Sequence, residues 1–235
     1  MKLILDDIKK RFETKEVLQG ASFTFETGKI YGLLGRNGAG KTTLFNCVNE
    51  DLSIDGGSIT VEDGGTVRAP KPEDIGYVLS TPVVPEFLTG REFLKFFIDI
   101  NKEKIQGEKT IDEYFELMSI RADDRDRLIK DYSHGMKNKM QMLVNFIANP
   151  GILLLDEPLT SFDVVVADKM KQLLRHMKTE HIIIFSTHIM ELALDLCDEI
   201  VILHDGVLNK VDKADMNNDD FKDKIIAALR GGEDE

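Results

Sequence analysis

The sequence predicts an α/β fold: a mostly parallel sheet covered by helices on both faces, with an N-terminal antiparallel β part and an inserted α-helical subdomain. Three observations carry this. Apolar runs at residues 30–34, 152–155, 182–185 and 200–203 have the length of buried strands. Amphipathic helical stretches at 164–177 and 190–197 alternate with them, as in a parallel sheet covered on both sides. Between residues 89 and 149 the strand pattern gives way to helical periodicity, which marks a lobe inserted into the sheet.

Taken in order, residues 2–8 and 20–25 read as strands, with Gly20 and Gly28 as punctuation. Residues 58–61 and 66–69 read as a hairpin around Asp63, Gly64 and Gly65. Phe93, Phe96, Phe97 and Ile100 recur at helical spacing, as do Met136, Met140, Leu143, Val144 and Ile147 before Pro150 stops the second helix. The expected organisation is a single domain over 1–235. Residues 1–88 and 150–206 form the core, 89–149 the helical subdomain and 207–235 a C-terminal tail.

With 42 acidic against 30 basic residues, the chain carries a formal charge of -12. That balance argues against a general nucleic-acid binder and against a binder of anionic membrane surfaces. Cys47 and Cys197 are the only cysteines, too few for a disulfide scaffold and in keeping with a reducing compartment. The first ten residues turn acidic at Asp6 and Asp7, too early for a signal peptide, and no apolar run approaches the ~20 residues of a membrane helix.

Chemistry concentrates at three strand ends. After 30–34 come Gly35, Arg36, Asn37, Gly38, Ala39, Gly40, Lys41 and Thr42, matching G-x-x-x-x-G-K-[ST] between a strand and a helix. Such a loop turns backbone N–H groups around a polyphosphate, and the helix that follows adds its positive end. Lys41 reaches the terminal phosphates, and the Thr42 hydroxyl is a ligand for Mg²⁺. The run 152–155 ends in Asp156 and Glu157: the first carboxylate can orient Mg²⁺, and the second can polarise an attacking water. The run 182–185 leads to His188, which can hold that water and the γ-phosphate.

Together these residues resemble the ATP-binding cassette (ABC) ATPase family, over about residues 3–206. The resemblance implies a P-loop NTPase core that binds ATP and Mg²⁺. In it Gly35 to Thr42, with Thr43, form Walker A, Asp156 ends Walker B, Glu157 is the catalytic base and His188 the switch histidine. It also implies that Phe12 stacks on adenine and that Asp163 lies in the D-loop. The family signature aligns with residues 132–136, keeping Ser133 and Gly135, which contact the nucleotide of the other subunit. His134 stands where the family has glycine. Ser80 stands where it has the Q-loop glutamine, so the Ser80 hydroxyl is a metal-ligand candidate of shorter reach.

The resemblance further implies a second ATPase subunit, identical or a close paralogue, and a separate transmembrane permease, docked near residues 81–89. It implies no nucleic-acid partner. The expected location is cytoplasmic, at the inner face of the cell membrane through that permease. The compact core is most similar to bacterial exporters, which implies ATP hydrolysis powering export. Two other readings are a soluble ABC-type ATPase and a weakly hydrolysing regulatory module. The first usually needs two cassettes or a long coiled-coil insertion; the second is at odds with retention of Glu157 and His188.

Overall fold

Side-chain alternation along the buried strands decides how the molecule is layered. The computed structural model describes residues 1–103, 105 and 109–211. A six-stranded sheet has the order β10-β9-β3-β8-β7-β6. Its strands are β3 (Lys29–Leu34), β6 (Ile75–Val78), β7 (Ile152–Asp156), β8 (Ile182–Thr187), β9 (Glu199–His204) and β10 (Val207–Val211). All neighbours pair parallel except β9 and β10, which are antiparallel. Successive residues point to opposite faces of a strand. Ile30, Leu34, Leu153, Leu155, Ile183 and Phe185 accordingly enter one core, while Tyr31, Leu33, Ile152, Leu154, Ile182 and Ile184 enter the other.

The first core is closed by helices α2 (Gly90–Ile100), α3 (Ile111–Leu117), α5 (His134–Ala148), α6 (Val164–Met177) and α7 (Met190–Leu196), through Leu94, Phe115, Leu143, Leu174 and Leu196. The second is closed by α1 (Lys41–Val48) and a four-stranded antiparallel sheet. That sheet has the order β2-β1-β4-β5, built from β1 (Lys2–Phe12), β2 (Lys15–Glu26), β4 (Gly56–Asp63) and β5 (Thr66–Arg68). The predicted α/β layering, the antiparallel part and the helical insertion are all present.

Local chemistry sets the helix limits. Thr89 and Thr110 begin α2 and α3 as capping boxes with Glu92 and Glu113. A four-residue helix, α4 (Ala122–Arg125), follows α3. Within the lobe, Arg91 and Arg125 share Asp112 and both lie over the Phe115 ring, 5.9 and 5.5 Å from its centroid. Half of the apolar face predicted for α2 is not core: Phe96 and Ile100 are 57% and 63% exposed. Strand β10 carries the sheet past residue 206, where the tail was expected to start. The rest of that tail, 212–235, lies outside the described residues.

A bulge in β1 delivers its end to the functional edge. Its pairing with β4 slips between Asp6 and Lys9, and Asp7 takes a left-handed backbone, φ 51°. Opposite the slip sits Gly57, φ 86°, where an added Cβ would come within 2.3 and 2.4 Å of the Asp6 and Asp7 carbonyl oxygens. Only glycine fits both the dihedral and the space. Gly57→Ala should lower stability by about 2 kcal/mol or more, read as a drop in the urea midpoint at unchanged slope.

Candidate nucleotide site

Parallel pairing brings the predicted strand ends to one edge. Leu34 of β3 sits opposite Thr187 of β8, Asp156 of β7 opposite Ser186, and Val78 of β6 opposite Leu155. Ligands of open α/β sheets bind beyond the carboxyl ends of the strands, and here those ends carry residues 35–43, 80, 156–157 and 188. A cleft of about 400 Å³ lies there, lined by Phe12, Arg36, Asn37, Gly38, Gly40, Lys41, Thr42, Thr43, Ser80, Asp156 and Glu157, together with Lys15 and Val17.

The loop after β3 is fixed by its own atoms. Gly40 precedes α1 with φ 103°, and a Cβ there would meet Val17 Cγ1 at 2.8 Å, so a side chain is excluded twice over. Lys41 is buried, and its Nζ donates to the carbonyls of Gly35 at 2.7 Å and Arg36 at 3.2 Å. Burial holds its ammonium below the ordinary lysine range, while the Glu157 and Asp156 carboxylates pull the other way. Ala39 lines a neighbouring groove against the β9–β10 turn rather than this cleft.

The carboxylates are organised from two sides. Thr42 Oγ1 donates to Asp156 Oδ2 at 2.7 Å, and Ser186 Oγ donates to Asp156 Oδ1. Glu157 adopts φ 50°, a left-handed conformation that costs a non-glycine residue on the order of 1 kcal/mol. Its N–H donates to Ser186 Oγ at 3.1 Å, and its carbonyl accepts from Thr160 Oγ1 at 3.0 Å. One carboxylate oxygen, Oε1, lies 2.9 Å from His188 Nδ1. The other, Oε2, is buried with no hydrogen-bond partner among the described residues.

The donor set also fits a small hard cation. Thr42 and Asp156 supply a hydroxyl and a carboxylate oxygen already at hydrogen-bond distance, the type of ligand Mg²⁺ takes alongside substrate phosphates. Among the described residues no group of three or more His, Cys, Asp or Glu could form an all-protein cage. Ser80 lines the same cleft and is exposed.

Other predicted residues lie elsewhere. Ser133 caps α5, accepting from the Met136 N–H at 3.2 Å, and neither it nor Gly135 lines the Lys41 cleft. A Cβ on Gly135 would stand 2.8 Å from the Ser161 carbonyl. Asp163, expected at the nucleotide, starts α6. Its Oδ1 accepts from the Val165 and Val166 N–H groups at 3.0 Å each, capping α6, and Asp163 does not line the cleft.

Sequence reading missed Ser186, Asn138 and Gln141. Asn138 Nδ2 donates to the Pro158 carbonyl at 3.2 Å and to Ser161 Oγ at 3.0 Å. Buried Gln141 grips the segment around Ser80 from α5. Its Oε1 accepts from the Val83 N–H at 2.7 Å and its Nε2 donates to the Leu79 carbonyl at 3.2 Å. A polar residue on the core side of an apolar helix was the available signal.

The chain is similar to known proteins of one family. The family profile described as ABC transporter matches residues 18–160. The chain is 31% identical over 215 residues to the ABC transporter ATP-binding protein NatA of Bacillus subtilis, covering 87% of this chain and 86% of that protein. It is 30% identical over 234 residues to YdbJ, an ABC transporter ATP-binding protein of the same organism, covering 97% and 74%. Among solved structures, an ATP-binding subunit of an ABC transporter superposes with a TM-score of 0.78 at 24% identity, covering 98% of this chain and 95% of that one. The ATP-binding cassette MJ0796, a dimer in a post-hydrolysis state with ADP and Pi, gives 0.74 at 18% identity, covering 89% and 97%. Those two show likeness of fold.

Gln141→Leu keeps the side-chain volume and removes both grips on the segment at 79–83. Stability should fall by about 1–3 kcal/mol in denaturant, and the Val83 amide should lose hydrogen-exchange protection ahead of its neighbours on β6.

Proposed function

The chain belongs to the ABC transporter family, as an ATP-binding subunit and an ATPase, and from that premise we propose which residues hydrolyse ATP and what the hydrolysis drives. The observation that supports the site assignment best is the Glu157 carboxylate, which lines the Lys41 cleft with Oε1 held by His188.

In this reading Phe12, at the end of β1 and 43% exposed, stacks on adenine. Its other neighbour is Lys10, whose Nζ lies 5.5 Å from the ring centroid. Residues 35–43 wrap the phosphates, and Lys41 exchanges its loop carbonyls for the terminal phosphates. Thr42 and Asp156 hold Mg²⁺, with the Ser80 hydroxyl in the same cleft; the cation supplies charge neutralisation on the phosphates. The Glu157 carboxylate accepts a proton from the attacking water. The water oxygen bonds to the γ-phosphorus, and ADP leaves with the electron pair of the broken bond. His188 keeps the Glu157 carboxylate from turning away.

Ser133 and Gly135 stand apart from their own chain's cleft, which supports a site completed across a dimer, each copy lending its signature to the ATP of the other. Asp163, off its own chain's cleft like them, is assigned to the same dimer interface, with its Oδ1 capping α6. Among the described residues no helix is long and apolar enough to cross a membrane. By the family resemblance the translocation path is assigned to a separate permease. Val83 and Phe87, 72% and 79% exposed beside the Gln141 grip, support residues 81–89 as its dock. The direction is outward, following the similarity of the compact core to bacterial exporters.

Glu157→Gln should lower ATP turnover by about 100-fold or more while keeping ATP affinity, and should trap an ATP-dependent dimer on a sizing column. Turnover equal to wild type would remove Glu157 from the chemistry. Phe12→Ala should weaken ATP binding by about 1–3 kcal/mol without changing the rate at saturation, measured by titration calorimetry alongside steady-state kinetics. Retention of the chain in membranes only when a permease is co-expressed would support the docking assignment; equal retention without one would refute it.

A further inference from the structure

We infer that Ser186 is a positioning residue that sets both carboxylates of the site through one hydroxyl; the inference rests on the reading of Glu157 and Asp156 given above. Ser186 is fully buried near the end of β8 and pairs in register with Asp156 of β7. Its Oγ donates to Asp156 Oδ1 and accepts from the Glu157 N–H. A serine hydroxyl has one proton to give and lone pairs to receive, so one atom can serve both neighbours.

The two contacts do different work. Thr42 holds Asp156 by Oδ2 and Ser186 holds it by Oδ1, so the plane of the carboxylate is fixed from both oxygens. Rotation of Asp156 would move the oxygen it shares with Thr42. At the next residue, the Ser186 contact pins the amide of a left-handed turn whose carbonyl is pinned by Thr160. The direction of the Glu157 side chain follows from that backbone. Ser186 thus aims the Glu157 carboxylate without touching it, and it reaches no nucleotide because it lies buried in the sheet and does not line the cleft. Loss of the hydroxyl leaves a carboxylate oxygen and an N–H unpaired in a dry site, and frees both groups to turn.

This makes Ser186 a determinant of turnover and of metal response rather than of ATP affinity. In steady-state assays on the full chain, Ser186→Ala should lower kcat by about tenfold or more and leave KM for ATP within about threefold. Ser186→Thr, which keeps the hydroxyl, should recover most of the rate. A second readout needs no turnover. In a Glu157→Gln background, Ser186→Ala should raise by about tenfold the Mg²⁺ concentration giving half of the ATP-induced thermal shift. If Ser186→Ala does not fold, Ser186→Cys, of similar size and a poor donor, takes its place in both experiments.

The inference is overturned if Ser186→Ala keeps kcat within about twofold of wild type, or if Thr is as damaging as Ala, which would mean packing alone. Should Glu157→Gln turn over at the wild-type rate, the reading of the site fails first. The Mg²⁺ titration then decides Ser186: an unchanged midpoint overturns it, and a shifted one upholds its hold on Asp156.

Discussion

Everything functional here depends on the parallel, in-register pairing of β3, β8 and β7. Parallel strands end on the same side, so three segments far apart in sequence deliver the phosphate loop, the two carboxylates and the histidine to one edge. The register is fixed by side-chain period. Slipping β7 by one residue would swap Leu153 and Leu155 with Ile152 and Leu154 between the two cores, and would carry Asp156 away from Ser186. The chemistry and the core are thus specified by the same alternation.

Much of this was legible in the sequence because the signals are local. Residues 30–48 announce strand, loop and helix by glycine spacing and apolar runs, and α1, Lys41–Val48, is the helix expected after the loop. The carboxylates and His188 were readable because each ends an apolar run. Contacts that join distant segments were not legible. Nothing around Gln141 in the sequence says that its amide closes on Leu79 and Val83, and Ser186 reads as one polar residue among three at a strand end. The slip of β1 against β4 depends on Gly57, about fifty residues from Asp7, so it belongs to no local pattern.

Asp163 teaches a related lesson. By position it resembles a nucleotide-side residue, and one of its carboxylate oxygens, Oδ1, also takes two N–H groups of α6. A carboxylate at a helix start is a cap before it is anything else, because the first-turn amides have no other partner. The two departures from the family pattern fare differently. Ser80 sits in the cleft but with a short side chain, and the link from the helical lobe to its segment runs instead through Gln141. His134 opens α5 immediately after the Ser133 cap.

The hold of the loop on Lys41 has a consequence for selectivity. Because Nζ is already bonded to the Gly35 and Arg36 carbonyls, an incoming anion is not rewarded for meeting a bare ammonium. The third N–H of the ammonium is left for an anion, and further contacts come only by exchange with the two carbonyls. A weak, singly charged anion gains little by that exchange, whereas a polyphosphate that also satisfies the loop's N–H groups gains at several places at once. The lysine is thus seated by its own loop before any anion arrives, and a ligand with several charged oxygens is the kind that rewards the exchange.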